Sequence, residues 1–251
     1  FKMLNAFLLT VFAGLSTVLG SLIVLFVDKK KEIHLNIAMG FAAGVMIFIS
    51  FTELLNQSIV IIGYATAMAS FFAGILFIYA IDVLIPHEYE KEESCKHGKN
   101  NKNLKRCGTL LAVGIAIHNF PEGIAVFFSS LANIKLGIAM AVAIALHNIP
   151  EGIAIAMPIY YATKSRKTAF MYSLLSGIAE PIGALIAWFF LRNYMTTFVL
   201  NILLAAVAGI MVFISFDELL PYAYNVKQHH PTVFGILMGM IVMAISLHLI
   251  V

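Results

Sequence analysis

The sequence predicts an all-α integral membrane protein with eight transmembrane helices, and three observations lead to that fold class. Hydrophobic residues make up 61% of the 251 and charged residues only 12%, whereas about a quarter of a soluble domain is charged. The mean hydropathy is +0.94. The apolar residues also gather into long runs, each near the roughly 20 residues a helix needs to cross about 30 Å of hydrocarbon. At that depth only helices and closed barrels satisfy their own backbone polar groups.

Taken in order, the runs predict spans at 4–27, 35–57, 60–86, 108–130, 135–160, 168–191, 197–221 and 232–251. The first ends at the Asp28-Lys29-Lys30-Lys31 cluster; it is too long for a signal-peptide core and has neither a basic leader nor a small-residue cleavage site, so it is expected to remain as a span. The second begins after His34, and the third ends at Pro86, before a hydrophilic stretch. The fourth follows Arg106. Lys135 and Lys164 bracket the fifth, Lys167 and Arg192 bracket the sixth, and the seventh closes at Pro221. The eighth follows His229-His230-Pro231. Both ends of the sequence lie close to a span, so one membrane domain over 1–251 is expected, with a loop at 87–107.

Lys and Arg set the predicted orientation. Thirteen of the sixteen fall after spans one, three, five and seven, and only Lys2, Lys135 and Arg192 fall on the other side. The positive-inside rule then places both termini outside and the 87–107 loop in the cytoplasm. Cys95 and Cys107 share that loop, where thiols stay reduced; pairing and metal binding are both left open for them. A net charge of +3 distributed in this way says nothing of nucleic acid, and none is expected as a partner.

Two repeats are visible. Gly114–Phe127 (GIAIHNFPEGIAVF) recurs as Ala143–Ala156 (AIALHNIPEGIAIA), offset by 29 residues. Met46–Leu55 (MIFISFTELL) recurs as Met211–Leu220 (MVFISFDELL), offset by 165, and Gly14–Gly20 loosely echoes Gly177–Gly183, offset by 163. Spans one to three therefore match spans six to eight. Five spans separate each helix from its counterpart, so the copies enter the bilayer in opposite directions, as in the inverted repeats of secondary transporters. The duplicated HNxPEG helices fill the middle of a 3+2+3 plan.

An acid inside a span costs at least about 2.5 kcal/mol at a helix centre, which makes it a functional candidate. Glu122, Glu151 and Glu180 all meet that description. In each HNxPEG unit His, Asn and Glu stand at about 0°, 100° and 40° around the helix axis, on one face. Glu122 can serve a cation beside His118 or beside Asn119, and Glu151 likewise with His147 and Asn148. Two such faces predict two adjacent ions sharing the carboxylates. Pro121 and Pro150, lacking an N–H, free the carbonyls of Ile117 and Leu146 and are expected to kink their helices. Gly123 and Gly152 allow neighbouring helices to approach. In span six, Pro181 frees the carbonyl of Gly177 next to Glu180, which could complete the second ion's shell. Imidazole with carboxylate and amide oxygen suits zinc, iron, manganese or cadmium, and not calcium, magnesium or Cu(I).

At HNFPEG and HNIPEG the chain resembles the ZIP (Zrt/Irt-like) family of metal transporters, and within it the bacterial ZupT-like branch. The resemblance covers the whole chain. It implies a binuclear site halfway across the membrane, one half formed by His118, Glu122, His147 and Glu151. The other half would comprise Asn119, Asn148, Glu180 and the bridging Glu122 and Glu151. It further implies uptake of Zn2+, with Fe2+, Mn2+ or Cd2+, into the cytoplasm across a bacterial inner membrane, by a homodimer whose helix sets slide against each other. The ions are substrates, and no catalytic cofactor is expected.

Weaker signals surround this core. Glu53, Asp217 and Glu218 sit near span ends, where they either collect and release ions at the two mouths or simply snorkel to the interface. His87, Glu88, Cys95, His97 and Cys107 match no closed zinc motif, whether or not the loop senses metal. His34, His229 and His230 read as solvated polar residues. An intramembrane hydrolase is the rival class, but the chain has no HExxH, and LLSG (Leu174–Gly177) is a poor nucleophile turn. The prediction is a transporter and not an enzyme.

Overall fold

The computed structural model describes residues 2–24, 32–84, 101–221 and 229–250. Among them, eight helices are long and apolar enough to cross a membrane. Span 1 is Lys2–Val24, and span 2 runs from Glu32 to Ile62 as an α-helix (Glu32–Ile49), a π-helical turn (Ser50–Leu55) and a further α-helix (Asn56–Ile62). Spans 3 to 6 are Tyr64–Leu84, Asn101–Ala132, Ile134–Thr163 and Arg166–Leu191. Span 7 is Thr197–Ile214 continued by a second π-helical turn, Ser215–Leu219, and span 8 is His230–Ile250. The chain is a multi-pass, all-α membrane protein.

Two boundaries depart from expectation. The break between spans 2 and 3 is a single residue, Gly63, at φ +79. That left-handed conformation favours glycine, whereas hydropathy had put the break at 57–60, because the Asn56-Gln57-Ser58 polar cluster resembles a loop. Those polar side chains instead ride on the helix, where the Ser58 hydroxyl donates to the carbonyls of Leu54 (2.7 Å) and Asn201 (2.9 Å). Span 4 also begins at Asn101, inside the expected 87–107 loop, because a polar helical turn can project past the apolar zone that hydropathy detects. His87, Glu88, Cys95 and His97 lie outside the described residues, as do the side chains of His34, Cys107 and Glu218. Glu53 sits half-buried in the first π turn and Asp217 exposed in the second; His229 and His230 are exposed.

Other connections are short and capped. The Asn133 side chain accepts from the Lys135 N–H (3.0 Å) at the start of span 5, and the Ser165 hydroxyl accepts from Thr168 N–H (3.2 Å) at the start of span 6.

Lipid is as apolar as leucine, so helices in a bilayer associate through close packing and polar contacts. Span 1 shows the resulting inside-out pattern. Leu4, Leu8, Phe12, Leu15 and Leu19 are exposed, while Ala6, Thr10, Ala13, Gly14, Thr17, Gly20 and Ser21 are buried. Span 5 is the most enclosed, with 72% of its apolar window buried against 22% for span 8, so one HNxPEG unit occupies the centre.

Contacts come in exchanged pairs. Span 2 packs on span 8 and span 3 on span 7; span 1 packs on span 5 and span 6 on span 4; spans 1 and 6 cross each other. Glycines mark the crossings residue by residue. A Cβ at Gly14 would strike the Gly177 carbonyl, and one at Gly177 the Gly14 carbonyl. Gly20 lies against the Ile149 carbonyl as Gly183 does against that of Phe120, and Gly44 against Ile236 as Gly209 against Phe71. Each second pair is the repeat counterpart of the first with partners swapped.

Candidate metal site

Spans 4, 5 and 6 bring six of the seven predicted residues into one buried region. Asn119, Glu122, His147, Asn148, Glu151 and Glu180 are each 0% exposed. The seventh, His118, has its backbone in span 4, but its side chain lies outside the described residues. Helix continues through Pro121, Pro150 and Pro181, so each HNxPEG face stays in register across its proline.

The groups meet in pairs. His147 Nε2 stands 3.2 Å from Glu122 Oε2, which links the two HNxPEG helices. The Asn148 amide donates to Glu180 Oε1 (2.5 Å) and to the Ala13 carbonyl (2.9 Å), which ties spans 5, 6 and 1 together. Asn119 donates to the Ser176 carbonyl at 3.4 Å. Gly123, next to Glu122, lies against the Glu180 backbone, which brings spans 4 and 6 together at these residues. No group of three or more His, Cys, Asp and Glu side chains within reach of a single ion occurs among the described residues.

Four side-chain oxygens of this set, Asn119 Oδ1, Glu122 Oε1, Asn148 Oδ1 and Glu180 Oε2, are buried without a hydrogen-bond partner among the described residues. Leaving a buried acceptor unsatisfied costs about 1–3 kcal/mol. Asn148 illustrates the logic, since its two N–H donors are both engaged and only its oxygen remains available. No Lys or Arg is among the buried residues described. Orphaned acceptors beside buried acids, with no buried Lys or Arg among the described residues, form a region suited to a cation. Unpartnered oxygens also occur on spans 2 and 7, at Gln57 and Asn201, but the buried acids among the described residues all lie on spans 4, 5 and 6.

Span 1 is what sequence reasoning missed. Its Ala13 carbonyl holds Asn148, and its Thr17 hydroxyl and the Ser176 hydroxyl of span 6 are buried without partners beside the same helices. The loose Gly14/Gly177 echo was the available signal, because it aligns Thr17 with Glu180 and Ala13 with Ser176.

Fold and site thus define a multi-pass membrane protein whose core holds acids, imidazole and amides on three adjoining helices. The chain belongs to the ZIP family: the family described as "ZIP Zinc transporter" matches residues 86–247. It is 50% identical over 259 residues to the zinc transporter ZupT of Chlorobium luteolum, covering 98% of this chain and 97% of that protein. It is 46% identical over 277 residues to the ZupT of Clostridium perfringens (100% and 97% covered) and 46% over 258 residues to that of Streptococcus mutans (98% of each). The family is one of transporters, so this chain is a transporter and not an enzyme.

Proposed function

We propose that this transporter carries divalent transition-metal ions, chiefly Zn2+ with Fe2+, Mn2+ and Cd2+ as further substrates, into the cytoplasm. The ions pass through a two-ion site on spans 4, 5 and 6. The observation that carries this reading is the set of orphaned oxygens on Asn119, Glu122, Asn148 and Glu180 within a region that buries three glutamates and no Lys or Arg. The relatives' description as zinc transporters supports the first-named ion.

In the arrangement described, His147 with Glu122 and Asn148 with Glu180 are hydrogen-bonded pairs. An ion that binds replaces these bonds with coordination. His118, Glu122, His147 and Glu151 serve one ion; Asn119, Asn148 and Glu180 serve the other, with Glu122 and Glu151 shared. Each ligand must be deprotonated to bind, so loading releases protons. The exchanged glycine contacts support a 3+2+3 inverted-repeat architecture. Both termini face outward from the cell membrane in this reading, as the lysine distribution requires, and the protein works as a homodimer. Radioactive zinc uptake by proteoliposomes tests the core claim. Glu122→Ala and Glu151→Ala should each reduce uptake at least about tenfold, the effect of losing roughly 1.4 kcal/mol of binding. Near-normal uptake by either variant rules out the shared-carboxylate site.

A further inference from the structure

The site obeys the same exchange as the helix crossings, down to its hydrogen bonds. Asn148 donates to the Ala13 carbonyl of span 1, and Asn119, its counterpart 29 residues earlier, donates to the Ser176 carbonyl of span 6. Ala13 and Ser176 are themselves counterparts, 163 residues apart. Gly123 of span 4 lies against the Glu180 backbone, and Gly152 of span 5 lies against the Thr17 backbone. Under this exchange Glu180, which lies against Gly123 and accepts from Asn148, corresponds to Thr17, which lies against Gly152. One position carries a carboxylate and the other a hydroxyl.

The hydroxyl is unusual for its helix. A Ser or Thr in a span ordinarily bends back onto its own backbone, and three neighbours in span 1 do so: Thr10 to the Ala6 carbonyl (3.0 Å), Ser16 to Ala13 (2.5 Å) and Ser21 to Val18 (2.7 Å). Thr17 is 0% exposed, yet its Oγ1 has no partner among the described residues. The cause is local. The carbonyl one turn back is Ala13, which already accepts from Ser16 and from Asn148, and the Gly14 carbonyl faces Gly177 at the crossing of spans 1 and 6. With the Ala13 carbonyl accepting from Ser16 and Asn148, the Thr17 hydroxyl is left without a partner among the described residues, next to span 6 at Gly177.

We propose that Thr17 is a further residue of the ion site, its hydroxyl the neutral counterpart of Glu180, adding an oxygen to the ion that Asn119, Asn148 and Glu180 serve. This rests on the two-ion reading above and deepens it.

The test uses the full-length protein in proteoliposomes, with Zn2+ as the probe, and compares wild type, Thr17→Val, Thr17→Ser and Glu180→Gln by uptake kinetics and by thermal melting without metal. Valine keeps the shape and removes the oxygen. Thr17→Val should raise the half-saturating zinc concentration roughly fivefold, the loss of one neutral oxygen contact, while its melting temperature without zinc rises because an unsatisfied hydroxyl is gone. Thr17→Ser should restore the wild-type half-saturation. If Thr17→Val keeps wild-type half-saturation while Glu180→Gln is impaired, the Thr17 proposal is overturned and the two-ion site stands. If Glu180→Gln behaves as wild type, or wild type takes up no zinc, both are overturned.

Discussion

Spans 1 and 6 occupy equivalent places and have been given different chemistry. Each crosses the other at a glycine, each lends a carbonyl to an asparagine of an HNxPEG helix, and each lies against an HNxPEG glycine. Their backbones are interchangeable. Where span 6 carries Glu180 and Pro181, span 1 carries Thr17 and Val18. The comparison teaches that two helices can share the same backbone contacts at matched positions while carrying different side chains there.

The comparison can be broken most decisively at the carboxylate. Glu180→Ala should lower zinc uptake on the order of a hundredfold, since a charge-assisted ligand contributes roughly 2–3 kcal/mol; uptake within threefold of wild type would show that span 6 is no more than scaffold. Next come the glycines at the crossing. Gly14→Leu and Gly177→Leu should each destabilise the protein by about 3 kcal/mol through overpacking, and should do so equally. Melting in detergent measures this, and strongly unequal losses would refute the exchange.

A smaller and unequal effect is expected at the asparagines. Asn148 makes two hydrogen bonds, one of them to a carboxylate, and Asn119 makes one at 3.4 Å. Asn148→Ala should therefore cost about 1 kcal/mol more stability than Asn119→Ala, visible as a lower melting temperature. The smallest effects belong to the π turns. Ser50 donates to Met46 (2.7 Å) and Ser215 to Met211 (2.8 Å), matched bonds one turn before matched irregularities. Ser50→Ala and Ser215→Ala should each shift stability by less than about 1 kcal/mol and by similar amounts.

Much of this was legible in the sequence because a bilayer imposes one dominant rule. Apolar runs found all eight spans, and the duplicated HNxPEG units found two of the three helices that carry the buried acids, the third being marked by Glu180-Pro181. The misreadings have local causes. Asn56-Gln57-Ser58 looked like a loop because periodicity cannot tell a polar helical turn from a break, and Gly63 left too little polar signal to be found. The π turns escaped because adding one residue to a helical turn leaves no trace in an apolar stretch. Thr17 escaped because a threonine within a span is ordinarily silent. Only the positions of Ser16 and Asn148 around the Ala13 carbonyl show that its hydroxyl has lost its usual acceptor.

The pairing of span 2 with span 8 also governs the order of assembly. Gly40 and Gly44 are shaped to receive the backbone at Thr232 and Ile236, and that backbone belongs to the last of the eight spans to leave the ribosome. At roughly 5–20 residues per second, span 2 waits in the bilayer on the order of ten seconds with a bare glycine groove, and span 3 waits somewhat less for span 7. The outer pairs must therefore close late, around helices that have already met. A chain halted before span 8 would present that groove to quality control and to other membrane helices instead of to its own partner.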